Sequence, residues 1–396
     1  MQGVLENSAG RQKPYFDRDT TAIIKGVALV MMFAQHMLMF PEWWPEGTVF
    51  PFMVAAYPYL RQPMTLSVAV FCFFSGYFYF YNKDKTYSYS FRKITDLLIN
   101  YWVIFFLFAF LAVAVSHYVY TPAAFLQEMF ALRRPTMVFG WYVSFYYTFM
   151  LLLPLLTRIL LKNIHVDLLV AVVLLPTCLR LVKYAGIFFF GQTVMADMIS
   201  HIIENISAVL IGYMFAGYDL FGKMEDLSKR IHSSRLGTVL CWICVLLAPM
   251  GIYLVPTLTL DFFVKPVIDH TVPVCIPMSL LYAPPFIFCL VKLIRGIRLT
   301  YVKVVLRQIG KYSLLMWFVS CIFFNNSKKV SQPLLYWPGN PVLVLLWGLL
   351  LCYVVSALLD PVMKLLIKQK NRIFFGKKQR PVSGNRVHVP SQAPQD

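Results

Sequence analysis

Residues 97–127 read LLINYWVIFFLFAFLAVAVSHYVYTPAAFLQ and contain no Asp, Glu, Lys or Arg. A charge-free apolar run of about 18 residues or more is long enough to cross a bilayer as a helix. Other runs that exceed this length include residues 62–82, 135–157, 236–260 and 330–359. The strands of a membrane β-barrel would be about ten residues long and would alternate polar with apolar side chains, which these runs do not. The chain is therefore predicted to be an all-α, polytopic membrane protein.

The composition of the whole chain supports this prediction. Its 396 residues are 59% hydrophobic and only 14% charged, whereas soluble domains carry about 25% charged residues. This balance excludes a soluble enzyme and a disordered protein, because too few charges remain to cover a soluble surface. The net charge of +18 is interpreted as a bias between the two sides of a membrane rather than as a nucleic-acid site.

Ten membrane spans are predicted, and the fifth, sixth and ninth are short. Each short span is completed if Arg180, Glu204 or Lys311 extends to the membrane surface or faces the protein interior. The predicted spans are residues 21–41, 62–82, 96–117, 138–158, 166–183, 199–218, 236–256, 272–292, 311–326 and 341–363.

The basic residues are distributed unequally across this topology. With both termini inside, 28 of the 36 Lys and Arg residues fall in inner segments and 8 in outer segments. Lys and Arg accumulate in cytoplasmic loops, so both termini are predicted to be cytoplasmic and the protein to lie in the cytoplasmic (inner) membrane. The predicted organisation is a cytoplasmic segment 1–20, a transmembrane domain 21–368 and a basic, largely disordered cytoplasmic tail 369–396.

Two ionisable residues of the first span fall on one helical face. Lys25 and His36 are eleven residues apart, so at about 100° per residue their side chains point to nearly the same side, about 16 Å apart along the axis. Asp19 is predicted to cap this helix. Ionisable residues inside a span suggest a functional site. The alternative is that Lys25 anchors the helix at the membrane surface and that His36 makes an interhelical hydrogen bond.

The Lys25–His36 spacing resembles the first-span signature of acyltransferase family 3, whose members are membrane O-acyltransferases that modify glycans. Four later elements are similar to family elements in order and position, and the resemblance extends from about residue 17 to 365. These elements are Phe71-Cys-Phe-Phe-Ser75-Gly76-Tyr77, Tyr89-Ser-Phe91-Arg92-Lys93-Ile94, Gly140-Trp141-Tyr142 with Pro154, and Gly310-Lys311-Tyr312-Ser313.

The sequence departs from the family pattern at two positions. Lys25 stands where arginine is commoner, which keeps the charge but loses the bidentate guanidinium. Residues 318–321 read FVSC where many members have a histidine, so no catalytic role is assigned there. Some members also carry an extracytoplasmic hydrolase-like domain that is not found in this sequence. A second transfer step would therefore need a separate extracytoplasmic transferase or polysaccharide-assembly protein.

The resemblance implies transfer of an acyl group, expected to be acetyl, from cytoplasmic acyl-CoA to a hydroxyl of an extracytoplasmic polysaccharide or its lipid-linked precursor. Acyl-CoA is then a donor substrate, and no permanently bound cofactor and no metal are expected. His36 is the candidate general base, because the pKa of histidine lies near neutrality. Lys25, Arg92 and Lys93 are candidates to bind the CoA phosphates, although Arg92 and Lys93 would equally serve as membrane anchors.

Ser75, Trp141 and Glu204 are further candidates, each with a structural alternative. Ser75 with Gly76 would also allow close helix packing, and Trp141 would also suit an interfacial anchor. A buried Glu204 must be paired or neutral, and an ion pair with Arg180 is favoured over binding of the acceptor.

Two functions other than acyl transfer remain open at this point. The first is a glycan or lipid flippase or transporter, and the second is a membrane scaffold derived from the enzyme family. A transport path would need polar residues on several helices, whereas the polar residues here concentrate on the first span. The sequence therefore favours the enzyme.

Overall fold

The computed structural model describes residues 14–41, 44–45, 47–48, 50–60, 63–132, 140–191, 194–230, 234–259, 279–296, 298–324 and 331–375. These residues form helices joined by short turns, and no strand occurs among them. The helices are α1 (Arg18–Leu38), α2 (Pro51–Leu60), α3 (Leu66–Tyr81), α4 (Tyr87–Ser116), α5 (Pro122–Met129), α6 (Trp141–Ile159), α7 (Ile164–Leu169), α8 (Leu175–Phe190), α9 (Val194–Gly217), α10 (Leu220–Arg230), α11 (Ser234–Thr259), α12 (Ser279–Gly296), α13 (Thr300–Lys311), α14 (Ser313–Phe324), α15 (Ser331–Tyr336) and α16 (Pro341–Phe374).

Seven helical segments in the described part of the chain are long and apolar enough to cross a membrane, and two shorter apolar helices accompany them. The protein is therefore an all-α, multi-pass membrane protein, as predicted. The count of ten spans and the orientation stay predictions. The seven segments are Arg18–Leu38, Pro63–Tyr81, Tyr87–Val115, Trp141–Ile159, Ile164–Phe189, Ile199–Gly217 and Pro341–Phe374, and the two shorter helices are Leu236–Met250 and Ser313–Phe323.

Side-chain caps mark the beginnings of α1, α4 and α16. Asp17 caps α1 by accepting a hydrogen bond from the Thr20 amide at 2.6 Å. The prediction of Asp19 as the cap is wrong, because Asp19 lies in the first turn, where its carboxylate pairs with Arg307 at 2.9 Å. Thr86 caps α4 and Asn340 caps α16 in the same way. Such caps satisfy amide groups that the first turn leaves without partners.

The segment between the eighth and ninth predicted spans contains a further helix, α13. Helix α13 packs along α1, and only the turn at Tyr312 separates it from α14. Lys303 and Arg307 keep this segment out of the predicted apolar spans.

Two pairs of helices cross with their backbones in contact. A Cβ atom at Gly76 of α3 would lie 1.7 Å from the Val209 carbonyl oxygen of α9, and one at Gly310 of α13 would lie 1.7 Å from a carbonyl oxygen of α1. Gly212 and Gly26, on the opposing helices, are equally constrained. Glycine is required at these positions because any side chain would force the helices apart. Gly76 therefore has the structural role given above as the alternative for the Ser75-Gly76 element, which is to allow close helix packing.

We call the end of the bundle where α1 begins the basal end, and the end where α1 stops at Leu38 the distal end. The segments predicted to share the inner side of the membrane meet at the basal end. That this end faces the cytoplasm stays a prediction from the distribution of charge. The contacts that join these segments are Tyr15–Glu225 (2.7 Å), Lys292–Glu225 (2.5 Å), Lys85–Tyr213 (3.4 Å), Tyr218–Asp167 (2.5 Å), Arg307–Asp19 (2.9 Å) and Lys370–Asp96 (2.6 Å).

The distal end of α1 is closed by two aromatic side chains. The Met37 carbonyl oxygen accepts hydrogen bonds from the Trp44 indole at 3.0 Å and from the Tyr336 hydroxyl at 2.9 Å. The carbonyls of a last helical turn have no partner within the helix. These two contacts therefore fix the turn that contains His36.

Helix α16 begins at the distal end, where Gly348 contacts the Met37 side chain, and extends past the predicted boundary at residue 368. Its 34 residues span about 51 Å at 1.5 Å per residue, more than the roughly 30 Å of a hydrocarbon core. Its last turns consequently reach the basal end, and the first residues of the predicted tail are helical. Residues 376–396 lie outside the described residues.

Candidate functional site

An inner cavity of about 340 Å³ lies between α1, α3, α4, α6 and α14. Each of the five sequence elements quoted above contributes a side chain to its wall. The structure thus gathers elements that are up to 288 residues apart in the chain. The five residues are Lys25, Ser75, Lys93, Trp141 and Ser313.

A basal cavity of about 840 Å³ lies next to it, at the beginning of α1. The segment 14–18 forms one wall, and Phe78 and Lys311 belong to others. Lys25 lines both cavities and therefore stands where they meet. The basal cavity is lined by three cations, Arg18, Lys25 and Lys311, and by the carboxylate of Asp17.

The wall formed by segment 14–18 is anchored by a charged network. The Tyr15 hydroxyl donates to Glu225 at 2.7 Å, and Lys292 pairs with the other carboxylate oxygen at 2.5 Å. Burial raises the pKa of Glu225, but the hydrogen bonds from Lys292 and Tyr15 outweigh it, so the pKa lies below its ordinary value. Burial, and then Glu225, raises the pKa of Tyr15. Glu225 is thus charged and Tyr15 protonated near neutral pH.

His36 lies in the last turn of α1, beside the distal part of the inner cavity. Its Nδ1 is 2.7 Å from the Met32 carbonyl oxygen, and its ring meets the Trp317 ring edge-on at 5.3 Å. Met32 and Trp317 both line the cavity. Because a carbonyl oxygen only accepts, Nδ1 donates, and the neutral ring then has its lone pair on Nε2.

Lys25 and His36 therefore face the same side of α1, as their spacing predicted. Lys25 is half-buried at the junction of the two cavities, and Met32, seven residues further on, lines the inner cavity. The first helix thus runs along one side of the cavity from a cation to an imidazole.

The two basic residues at the start of α4 differ in position. Lys93 lines the inner cavity, and its Nζ is 3.9 Å from a carboxylate oxygen of Asp96. The Arg92 guanidinium packs over the Tyr89 ring at 5.5 Å, and Arg92 is not among the residues that line either cavity. Only Lys93 of this pair meets the site in the structure.

Of the remaining candidates, Ser75 and Trp141 line the inner cavity. The Ser75 hydroxyl is 3.0 Å from the Phe71 carbonyl oxygen, and the Trp141 ring stacks on the His201 ring at 5.0 Å. Glu204 belongs to α9, but its side chain, and with it the predicted pairing with Arg180, lies outside the described residues.

Several polar residues of the cavity wall were not singled out from the sequence. Asp96 lies three residues after Lys93 and Asn100 seven residues after it, so the helical spacing from Lys93 was the signal that could have revealed these two. Asp96 directly precedes the charge-free run 97–127. The missed residues are Asp96 and Asn100 on α4, Tyr146 on α6 and Trp317 on α14, and Tyr142, quoted above beside Trp141, had been given no role.

The fold and the site together define a multi-pass membrane protein whose polar side chains converge on a cavity beside its first helix. The chain belongs to acyltransferase family 3, because the family model described as an acyltransferase domain matches residues 21–360. The resemblance found in the five sequence elements is thereby confirmed, and the protein is a membrane acyltransferase by family. Comparisons with curated proteins and with solved structures gave no match.

Proposed function

We propose that this protein transfers a short acyl group, acetyl in the simplest case, from acyl-CoA to a hydroxyl of an extracytoplasmic polysaccharide or its lipid-linked precursor. One observation carries the proposal. Lys25 lines both the basal and the inner cavity, and His36 stands beside the other part of the inner cavity, on the same face of α1. This arrangement suits a long donor that enters at one end and reacts near the other.

The basal cavity suits the nucleotide part of acyl-CoA. Arg18, Lys25 and Lys311 offer cations to the phosphates, and the rings of Tyr15 and Phe78 offer apolar surface to the base. The basic residues that collect at this end favour its placement on the cytoplasmic side of the inner membrane, where acyl-CoA would be available. No resident cofactor is needed for this reaction.

The inner cavity suits the pantetheine arm and a small acyl group. Its volume of about 340 Å³ is at the lower end of the roughly 300–1,000 Å³ of small-molecule sites. Once the arm is inside, little space is left for the acyl chain. The size of the cavity therefore favours acetyl-CoA over long-chain donors.

His36 acts as the general base in this proposal. The acceptor hydroxyl gives its proton to Nε2 while its oxygen bonds to the thioester carbonyl carbon. The C–S bond then breaks, and the CoA thiolate takes the proton from His36, so the products are acylated glycan and free CoA. Asn100, Tyr142 and Tyr146 on the cavity wall are available as donors to the developing oxyanion.

The acceptor approaches from the distal end, where His36 lies. Its sugar and its position of acylation are set by parts of the site that the donor does not touch. A separate extracytoplasmic transferase or polysaccharide-assembly protein would take over the product if the acyl group is passed on.

The test is release of CoA from acetyl-CoA by the purified protein in liposomes, with and without a glycan acceptor. We expect release to depend on the acceptor and to fall about 10²–10⁴-fold in His36→Ala, the usual contribution of a general base. His165→Ala is the matched control, because His165 is exposed at the start of α7 and lines neither cavity. Movement of glycan or lipid across the liposome without CoA release would instead establish a flippase or transporter.

A further inference from the structure

Asp96, on the wall of the inner cavity, is paired with a lysine of the last helix. Lys370 Nζ lies 2.6 Å from Asp96 Oδ1, and it also donates to Thr95 Oγ1 at 3.2 Å and to the Arg92 carbonyl oxygen at 3.3 Å. The Lys370 side chain is only 9% exposed. Three protein acceptors therefore replace water around a buried ammonium group, which is the condition for burying a charge.

A second cation lies on the other side of the same carboxylate. Lys93 Nζ is 3.9 Å from Asp96 Oδ2, and the Lys93 side chain is 41% exposed. Lys93 and Asp96 line the inner cavity, whereas Lys370 approaches Asp96 from behind the wall. The three side chains carry a net charge of +1.

The two contacts of Asp96 are unequal. The contact with Lys370 is shorter and more buried, so it is the stronger charge-assisted hydrogen bond. The contact with Lys93 is long and partly exposed, which is typical of pairs that contribute little. The charge of Asp96 is thus balanced mainly by Lys370, and the charge of Lys93 is directed to the cavity.

We propose that Lys370 is a positioning residue of the donor site: it neutralises Asp96, so that the wall of the inner cavity presents Lys93 as a cation to a phosphate of the donor. This inference rests on the proposed function. Lys25 lines the same cavity, so the phosphate next to the pantetheine arm would meet both lysines. Without Lys370, Asp96 would pair with Lys93 and would repel the phosphate.

A purely structural role for Lys370, in which it only fastens α16 to α4, predicts different results. Under that role, loss of either partner would destabilise the protein and leave donor affinity unchanged. Under our proposal, Lys370→Met and Asp96→Asn change donor affinity in opposite directions, because the first lowers the charge of the wall to zero and the second raises it to +2.

The experiment measures KM and kcat for acetyl-CoA and for acetyl-pantetheine, which lacks the phosphates, with the full-length protein in liposomes. We expect Lys370→Met to raise KM for acetyl-CoA on the order of tenfold, the effect of one unit charge about 10 Å away at an effective dielectric constant of about 20. We expect Asp96→Asn to lower this KM and the double variant to return it toward that of the parent. KM for acetyl-pantetheine should be the same in all variants.

Lys364→Met is the matched control. Lys364 is on the same helix and pairs with Asp360 at 2.5 Å, but its side chain is 65% exposed and lines neither cavity. An unchanged acetyl-CoA KM in Lys370→Met and Asp96→Asn, or equal defects with both donors, would overturn the role of Lys370. If Lys370→Met does not fold, the acetyl-CoA KM of Asp96→Asn still decides between the positioning role and the purely structural role. Failure of the parent to bind acetyl-CoA would overturn the proposed function as well.

Discussion

Replacement of Gly76 by alanine tests the closest helix crossing of the bundle. The new Cβ would lie 1.7 Å from the backbone carbonyl oxygen of Val209, whereas Cβ atoms essentially never come closer than 3.0 Å to such a neighbour. Helices α3 and α9 must therefore separate by more than an ångström at this point. The obstacle is backbone, so no side-chain rotation relieves it.

The expected cost follows from this overlap. Overpacking in a close-packed interior typically costs about 1–3 kcal/mol, and it opposes the gain of about 0.5–1 kcal/mol that alanine brings to a helix interior. Gly76→Ala should lower the apparent Tm of the purified protein by a few degrees. Since Ser75 is the neighbouring residue and lines the inner cavity, acyl transfer should also fall.

Gly186→Ala provides the matched control. Gly186 is in the interior of α8, and an added Cβ there would have no atom within 4 Å. This variant should therefore keep or slightly raise the apparent Tm. An equal Tm for the two variants in a thermal-unfolding assay would refute the crossing geometry of α3 and α9.

Three other predictions concern the donor, the topology and pH. Lys25→Ala should raise KM for acyl-CoA with a smaller effect on kcat. Lys25→Arg should be tolerated because arginine binds phosphate bidentately. Unchanged acyl-CoA affinity in Lys25→Ala would show that Lys25 is a membrane anchor. Reporter fusions after residue 368 and within 219–235 should report a cytoplasmic location, and fusions within 256–272 an external one; an external C-terminus would contradict the ten-span topology. Because the pKa of Glu225 is lowered in the folded protein from an ordinary value of 4.5, its stabilising effect should be complete above about pH 4.5 and lost as the pH falls through the lower, folded-state pKa. The Tm difference between the parent and Glu225→Gln should accordingly be constant above pH 4.5 and shrink below it, whereas a difference independent of pH would argue against the network with Lys292.

Local periodicity was sufficient to predict the part of the site on the first helix. Lys25 and His36 are eleven residues apart, which is about three helical turns. Both side chains therefore lie on the same face of the helix, independently of tertiary contacts. The long charge-free runs likewise predicted helices α4 and α16, because in a bilayer only a helix satisfies the backbone of an isolated apolar segment.

Pairings between distant segments could not be predicted in this way. Asp96 and Lys370 are 274 residues apart, and the sequence around each residue gives no indication that the two are paired. The same holds for the packing of α13 on α1 through Gly310 and Gly26, which no local pattern of the sequence indicated. Tertiary contacts of this kind decide the charge of the cavity wall and the shape of the basal cavity.

The contacts at the base of α1 have a consequence for the order of assembly during synthesis. Helix α1 is synthesised first, but its partners come much later in the chain. Glu225, the partner of Tyr15, follows it by 210 residues, and Arg307, the partner of Asp19, follows it by 288 residues. At roughly 5–20 residues per second, Glu225 is synthesised about 10–40 s after Tyr15, and Arg307 about 15–60 s after Asp19. The basal cavity, which Gly310 and Lys311 line, therefore cannot be complete until residue 311 has been made. The helix that carries Lys25 and His36 thus becomes part of the proposed donor site only late in translation.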